Sequence, residues 1–255
     1  MNTNNAKQHH SIPYIWLGVF AHPDDETSAS AGTMVKWIAE NNEAYVITAT
    51  GGELGTLGTG DLVIQRENLA SVRESELRNN LALYGCHSPF LLRYRDQELA
   101  IESTDILSAK VLNVIKKVQP HVIATFGPSG ISNHTDHIAI HHATKQAYEE
   151  YKSKSGKKSP ILIYPSLSEE TAKQYSLNLS SAEKRMDIVI DINSSINVKI
   201  EGLRNYKSQE DAQEFAKRLN DLKDDRNTNI ESFSVSSSTP NDWQNYPVVD
   251  YLKNL

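Results

Sequence analysis

Two short stretches concentrate the side chains that could bind a cation and move a proton: His22-Pro23-Asp24-Asp25-Glu26 and His134-Thr135-Asp136-His137. Two imidazoles and one carboxylate around an ion, with one position left open, is the pattern of a hydrolytic Zn2+ site. His22, Asp25 and His137 are the candidate ligands. His22 and Asp25 are three residues apart, so a turn entering a helix can aim both at one point. Asp24 is then left facing the water that the ion activates and can take its proton. The ion would bring the water's pKa to about 7 and polarise a carbonyl. His134, one turn before His137, is placed to stabilise an oxyanion or to protonate a leaving nitrogen. Asp136 could hold His134 charged and oriented. Together these groups suit hydrolysis of an amide by water, without a covalent intermediate. Two histidines and one carboxylate also describe the non-haem Fe(II) triad, but nothing in the chain suggests a place for an oxoacid co-substrate. A non-catalytic binding module would need no base, and Asp24 beside a full ligand set argues against one.

The elements around these stretches must bring them together across more than a hundred residues. Residues 15–20 are an almost wholly apolar run, read as a strand buried on both faces, and 27–41 as an amphipathic helix. Strands follow at 44–50, 89–94, 121–126 and 161–164, alternating with helices over 62–84, 104–118 and from 133–137 to about 151. Gly85 stops the second helix. This alternation predicts an α/β fold: a Rossmann-like, doubly wound, mostly parallel sheet with helices on both faces. In a 3-2-1-4-5 order, strands 1 and 4 are neighbours, and ligands bind beyond their carboxyl ends. The two histidine motifs, one after each of these strands, then share one crevice. Residues 186–192 suit an edge strand, 195–222 one or two helices and 234–247 a loop-rich tail, while 166–182 resist assignment. Residues 1–12 read as a flexible polar arm and 13–255 as a single domain.

Composition narrows the partners. A net charge of −6 gives no basic field for nucleic acid. Cys86 is the only cysteine, which suits a reducing compartment. The polar start lacks the apolar core of a signal peptide, and no run approaches the ~20 apolar residues of a membrane span. A soluble cytoplasmic protein is expected, with homo-oligomerisation left open. Five glycines between Gly51 and Gly60 make a flexible loop. It follows the second strand, not the first, and has no phosphate-cradle register, so a ligand-mouth loop is the better reading. Glu53 in that loop could line the pocket or support a ligand, or simply be solvated. His141 reads as a packed helix residue rather than a fourth ligand, and Cys86 as a small packed side chain.

Taken together, Ala21 to Glu26, Gly52-Glu53 with its glycine-rich loop, Arg73-Glu74 with Glu76, and His134-x-Asp136-His137 resemble the PIG-L/LmbE-like deacetylases. The likeness covers roughly residues 15–210 and includes Lys199 and Tyr206-Lys207-Ser208-Gln209. It implies a zinc enzyme that removes acetyl from N-acetylglucosaminyl compounds, in a family that includes the deacetylases of mycothiol and bacillithiol synthesis. By position it gives zinc ligation to His22, Asp25 and His137, the base role to Asp24, the acid or oxyanion role to His134, and contact with sugar hydroxyls to Arg73. The implied partner is a small N-acetylated sugar or its conjugate, and an amidase acting on a related conjugate is the neighbouring alternative. Two departures stand out. Thr135 replaces a frequent proline, and Ser132-Asn133 occupy the approach where some members place a tyrosine. Neither removes a ligand or the base.

If His137 is a ligand, His137→Ala should lose most of the roughly one zinc per chain that a three-ligand site holds. Metal analysis of the purified variant checks this, and full occupancy would remove His137 from the set.

Overall fold

The computed structural model describes residues 12–155, 159–225 and 228–255. All but the last residue of the expected N-terminal arm, and most of the turn expected at 155–159, lie outside the described residues. The strands are β1 (Ile15–Phe20), β2 (Glu43–Thr50), β3 (Phe90–Tyr94), β4 (Val122–Thr125), β5 (Ile161–Pro165), β6 (Ile188–Asp191) and β7 (Ile230–Val235). The helices are α1 (Asp25–Ala39), α2 (Leu69–Tyr84), α3 (Thr104–Val118), the short α4 (Gly130–Asn133), α5 (Thr135–Ser155), α6 (Glu169–Gln174), α7 (Ile196–Asn205), α8 (Glu210–Leu222) and α9 (Pro247–Lys253). The strands form one sheet in the order β3-β2-β1-β4-β5-β7-β6. The first five are mutually parallel, and β7 runs antiparallel to both β5 and β6.

The expected adjacency of strands 1 and 4 is present, with Trp16 opposite Val122 and Val19 opposite Thr125. Both strands are buried on both faces, as their apolar runs require: Trp16, Leu17, Val19 and Phe20 are wholly inaccessible, as are Val122, Ile123 and Ala124. Their carboxyl ends therefore open side by side, β1 into the turn before α1 and β4 into the turn before α5.

The C-terminal third differs from its sequence reading. β6 is the expected edge strand, but β7 inserts between it and β5, where sequence suggested no strand before a loop-rich tail. Glu231, Phe233 and Val235 share one face of β7 and all are buried. A buried glutamate on the core face hides the alternation. Its burial has a physical cause in α1. The amides of Gly32 and Thr33 donate to the Glu231 carboxylate at 3.0 and 2.7 Å. Lys199 from α7 donates to the Ser28 carbonyl at 2.9 Å and to Glu231 at 2.6 Å. An ion pair from two distant elements thus supplies hydrogen bonds within α1. Gly32 also lets Ile192 pack closely on α1, since a Cβ there would lie 2.8 Å from the Ile192 side chain.

Breaking one partner of a buried pair leaves an uncompensated charge, a loss of about 3–5 kcal/mol. Lys199→Met should lower unfolding free energy by that order in urea titration while zinc content stays at the wild-type level. A loss under ~1 kcal/mol would show that Glu231 finds its compensation elsewhere.

Candidate active site

His22 leaves β1 in the turn that starts α1, and its two ring nitrogens face opposite ways. Nε2 lies 3.1 Å from Asp96 Oδ1 and 3.2 Å from Asp136 Oδ2, so it carries the proton and donates to these carboxylates. Nδ1 faces inward, 3.2 Å from His137 Nε2 and 3.5 Å from Asp25 Oδ2. His137 is tied in the opposite sense. Its Nδ1 donates to the Gly130 carbonyl at 3.0 Å, and its ring stacks on Phe126 with centroids 3.9 Å apart. Its Nε2 therefore presents a lone pair, 3.4 Å from Asp25 Oδ1. Burial works against charge on His22, but its hydrogen bonds to Asp136, Asp25 and Asp96 outweigh it and hold the imidazole well above its ordinary pKa, so without an ion a proton is retained on the inward side. Asp25 Oδ2 also accepts the His22 amide at 2.8 Å. The two ring nitrogens are 3.2 Å apart, and each lies 3.4–3.5 Å from a different oxygen of Asp25, Oδ2 from His22 and Oδ1 from His137. His134 brings a further ring nitrogen within 4.8 Å of those of His22 and His137. The donor set of His22, Asp25 and His137 fits a metal ion, which would take the place of the shared proton.

Asp24 sits beside this triad with a different environment. Its backbone has φ 100°, an unusual conformation held by the Glu26 carboxylate, which accepts the Asp24 amide at 3.1 Å. Glu26 is itself wholly buried and also accepts from the Thr27 and Tyr206 hydroxyls at 2.6 and 2.7 Å. Asp24 Oδ2 accepts from Arg73 Nη2 at 2.6 Å, and its Oδ1 has no hydrogen-bond partner among the described residues. Burial lifts the Asp24 carboxyl well above the usual range, against the pull of Arg73. For Asp25 burial pushes the same way, but the imidazoles of His137 and His22 outweigh it and hold this carboxyl below the usual range. Adjacent identical residues are thus driven apart, one towards holding a proton and one towards permanent charge.

His134 stands half-buried on the other side, its ring centroid 4.8 Å from that of His22. Its Nδ1 accepts the Asp136 amide at 3.1 Å, so in the neutral ring Nε2 carries the proton. That nitrogen has no partner among the described residues.

Three expectations change. The Asp136 carboxylate was expected on His134. It is instead wholly buried and accepts from His22 and from the amides of Gln97 and Leu99, because its position on the first turn of α5 points it towards the loop after β3. Arg73 was expected to meet sugar hydroxyls. It is 4 % exposed, and its guanidinium is engaged by Asp24 and by the carbonyls of Pro23 and Gly52. Glu53 accepts the Asp96 amide at 3.0 Å and lines a cleft of about 490 Å³ that also touches Pro23, Arg66, Arg93 and Tyr94. It therefore supports Asp96 as well as facing open space. Asp96 itself was missed. Its only sequence signal is a carboxylate just beyond the carboxyl end of the third strand, on the same side as the two histidine motifs. His141 is not turned to the triad; its Nδ1 donates to the Phe126 carbonyl at 2.8 Å.

The fold and this triad define a metal-site α/β protein, and residues 17–148, just over half the chain, match the family model described as PIG-L, GlcNAc-PI de-N-acetylase. The chain belongs to this PIG-L family. It is 35% identical over 153 residues to a 1D-myo-inositol 2-acetamido-2-deoxy-alpha-D-glucopyranoside deacetylase of Rhodococcus jostii, covering 52% of each chain. It is 32% identical over 151 residues to a mycothiol S-conjugate amidase of Streptomyces coelicolor, covering 52% of this chain and 51% of that one. The chain thus spans about half the length of the curated relatives it matches. Among solved structures, an N,N'-diacetylchitobiose deacetylase of Pyrococcus horikoshii superposes with a TM-score of 0.64 at 21% identity, over 93% of this chain and 88% of that one. A 4-carboxy-2-hydroxymuconate hydratase of Pseudomonas putida gives 0.67 at 17% identity, over 87% and 95%. At these identities the two share the fold, and the fold serves more than one chemistry.

Burial holds the His141 imidazole down to about 4, so it is neutral in the folded protein at pH 7. The unfolded ring titrates near 6.5. Between those values the unfolded chain binds more protons, so this contribution is complete above about pH 6.5 and is lost as pH falls towards 4. His141→Gln should flatten the stability profile in that window by on the order of 2 kcal/mol. Denaturation at pH 7 and pH 4 measures it, and parallel profiles for variant and wild type would refute it.

Proposed function

We propose that this protein is a zinc-dependent hydrolase that removes the acetyl group from an N-acetylated amino sugar or its conjugate. One observation carries the reading: two ring nitrogens and a carboxylate brought within 3.5 Å of one another, with a buried, partly unpaired aspartate beside them. Zinc held by His22 Nδ1, Asp25 and His137 Nε2 would supply Lewis acidity and a water that ionises near neutral pH. Asp24 Oδ1 takes the attacking water's proton, with Arg73 fixing the other oxygen so that the carboxylate cannot turn away. His134 Nε2–H donates to the oxygen that gathers charge, or to the departing nitrogen. Asp96 and Asp136 keep His22 in the tautomer that faces the ion. Glu53, through Asp96 and along the cleft, borders the space where the rest of the substrate would lie.

An amidase that cleaves a larger acyl group is the second reading, supported by the likeness to a relative named as a mycothiol S-conjugate amidase. A non-catalytic sugar-binding module is disfavoured, because binding alone gives no reason to hold Asp24 in a rare backbone conformation. None of the described helices is long and apolar enough to cross a membrane, and a cytoplasmic location accords with the single cysteine. Acetate release across a panel of N-acetylated sugars and conjugates, with and without chelator, tests the proposal. Chelator-sensitive acetate release supports it, release of larger acyl groups alone favours the amidase, and no release on any substrate counts against catalysis.

The two aspartates separate the roles. Asp24→Asn keeps a carbonyl oxygen for Arg73 and should retain zinc, while turnover falls by a factor on the order of 10²–10⁴, the worth of a positioned base. Asp25→Asn should lose zinc and activity together. Zinc loss confined to Asp24→Asn would mean the two have exchanged roles. Arg73→Ala should lower kcat with little change in KM. A raised KM at unchanged kcat would return Arg73 to substrate contact.

A further inference from the structure

We infer that Glu183 is a positioning residue for the metal site, holding a strained turn so that the Gly130 carbonyl fixes the tautomer of His137. The inference rests on the zinc reading above and concerns residues outside the two histidine motifs. Glu183 is wholly buried in the short turn Ser181–Lys184. Its Oε1 accepts the Ile131 amide at 3.0 Å. Its Oε2 accepts the Ser129 amide at 3.0 Å, the Ser129 hydroxyl and, from the Ser180 amide and hydroxyl, a local cap. Gly127 lets the side chain in, since a Cβ there would meet Glu183 Cγ at 2.2 Å.

The turn it grips could not be expected to hold itself. Ile131 has φ 57° and ψ −44°, close to the rare γ-turn conformation and a marked outlier for a β-branched residue. Gly130 and Asn133 on either side also have positive φ, 64° and 62°. Such a conformation persists only when its surroundings over-determine it, and the Glu183 carboxylate binds the amides on both sides of Gly130. The product of the strain is the direction of one carbonyl: Gly130 O lies 3.0 Å from His137 Nδ1. With that bond made, the proton sits on Nδ1 and the lone pair on Nε2 faces His22 and Asp25. Ser132 Oγ also lies 3.2 Å from His137 Nδ1, but a hydroxyl can donate or accept and so selects neither tautomer. Were the turn to relax, His137 would lose the carbonyl, which can only accept, and zinc would have to reorder the ring on binding.

The test is a cycle of Glu183→Gln, Ile131→Gly and the double variant, read by zinc affinity in competition with a chromogenic chelator. Glu183→Gln should weaken zinc binding about tenfold, the lower range for losing an outer partner of a ligand. Ile131→Gly alone should change it little. The double variant should recover most of the loss, because glycine adopts the turn without needing to be held. Equal zinc affinity in Glu183→Gln and wild type overturns the inference, as does a double variant no better than Glu183→Gln. If Glu183→Gln does not fold, the double variant decides: folding and zinc binding support the role, and failure to fold shows a purely structural carboxylate. Nitrogen NMR shifts of His137 in metal-free protein give a readout independent of zinc. They should report a proton fixed on Nδ1 in the wild type and mixed tautomers in Glu183→Gln, and unchanged shifts overturn the inference. A wild type with the fixed tautomer but no zinc affinity would sink the hydrolase reading while leaving this linkage standing.

Discussion

Two imidazole nitrogens do not ordinarily sit 3.2 Å apart with a carboxylate alongside. Here His22 and His137 do so because each is tied from behind, one by the carboxylates of Asp96 and Asp136 and the other by a peptide carbonyl. The rest of the molecule supplies those ties. Neighbouring parallel strands β1 and β4 bring the two rings to one place. The loop after β3 delivers Asp96, and its amides anchor Asp136. On the proposed reading a cation would replace the proton shared at this crowded point, and the outward hydrogen bonds of the two rings keep their inner nitrogens facing it.

The same logic divides labour between adjacent aspartates. Asp25 lies on the first turn of α1 and is spanned by two imidazoles. Asp24 precedes it in a conformation that residues other than glycine seldom adopt, which swings its carboxylate away from the triad and onto Arg73. Glu26 makes that conformation tenable by accepting the Asp24 amide, and is itself locked by the Tyr206 hydroxyl and by that of Thr27, which in turn is hydrogen-bonded to Tyr84. On the proposed reading the motif is a base, a ligand and a brace in three successive residues, Asp24, Asp25 and Glu26.

Much of this was readable from sequence. The apolar runs announced the parallel core, and the order of strands 1 and 4 placed the two motifs together. What escaped reading shares one cause: polar side chains that act by burial. Glu231 hid β7 by occupying its core face. Asp96 and Glu183 belong to no motif, since their work is to receive amides whose positions depend on the folded chain. Arg73 was legible as a charged residue near the site, but sequence could not tell whether its guanidinium faced substrate or Asp24. The proposed ligands are written in short motifs, while the residues that hold them in place come from across the chain.

One consequence lies in the order of assembly. The amides of Gly32 and Thr33 find acceptors on a strand 199 and 198 residues further along the chain. The helix that begins with Asp25 therefore lacks these acceptors until β7 has entered between β5 and β6. Contacts of such long range are slow to form. The helix that carries Asp25 thus reaches its full set of hydrogen bonds only after a contact spanning nearly two hundred residues has formed.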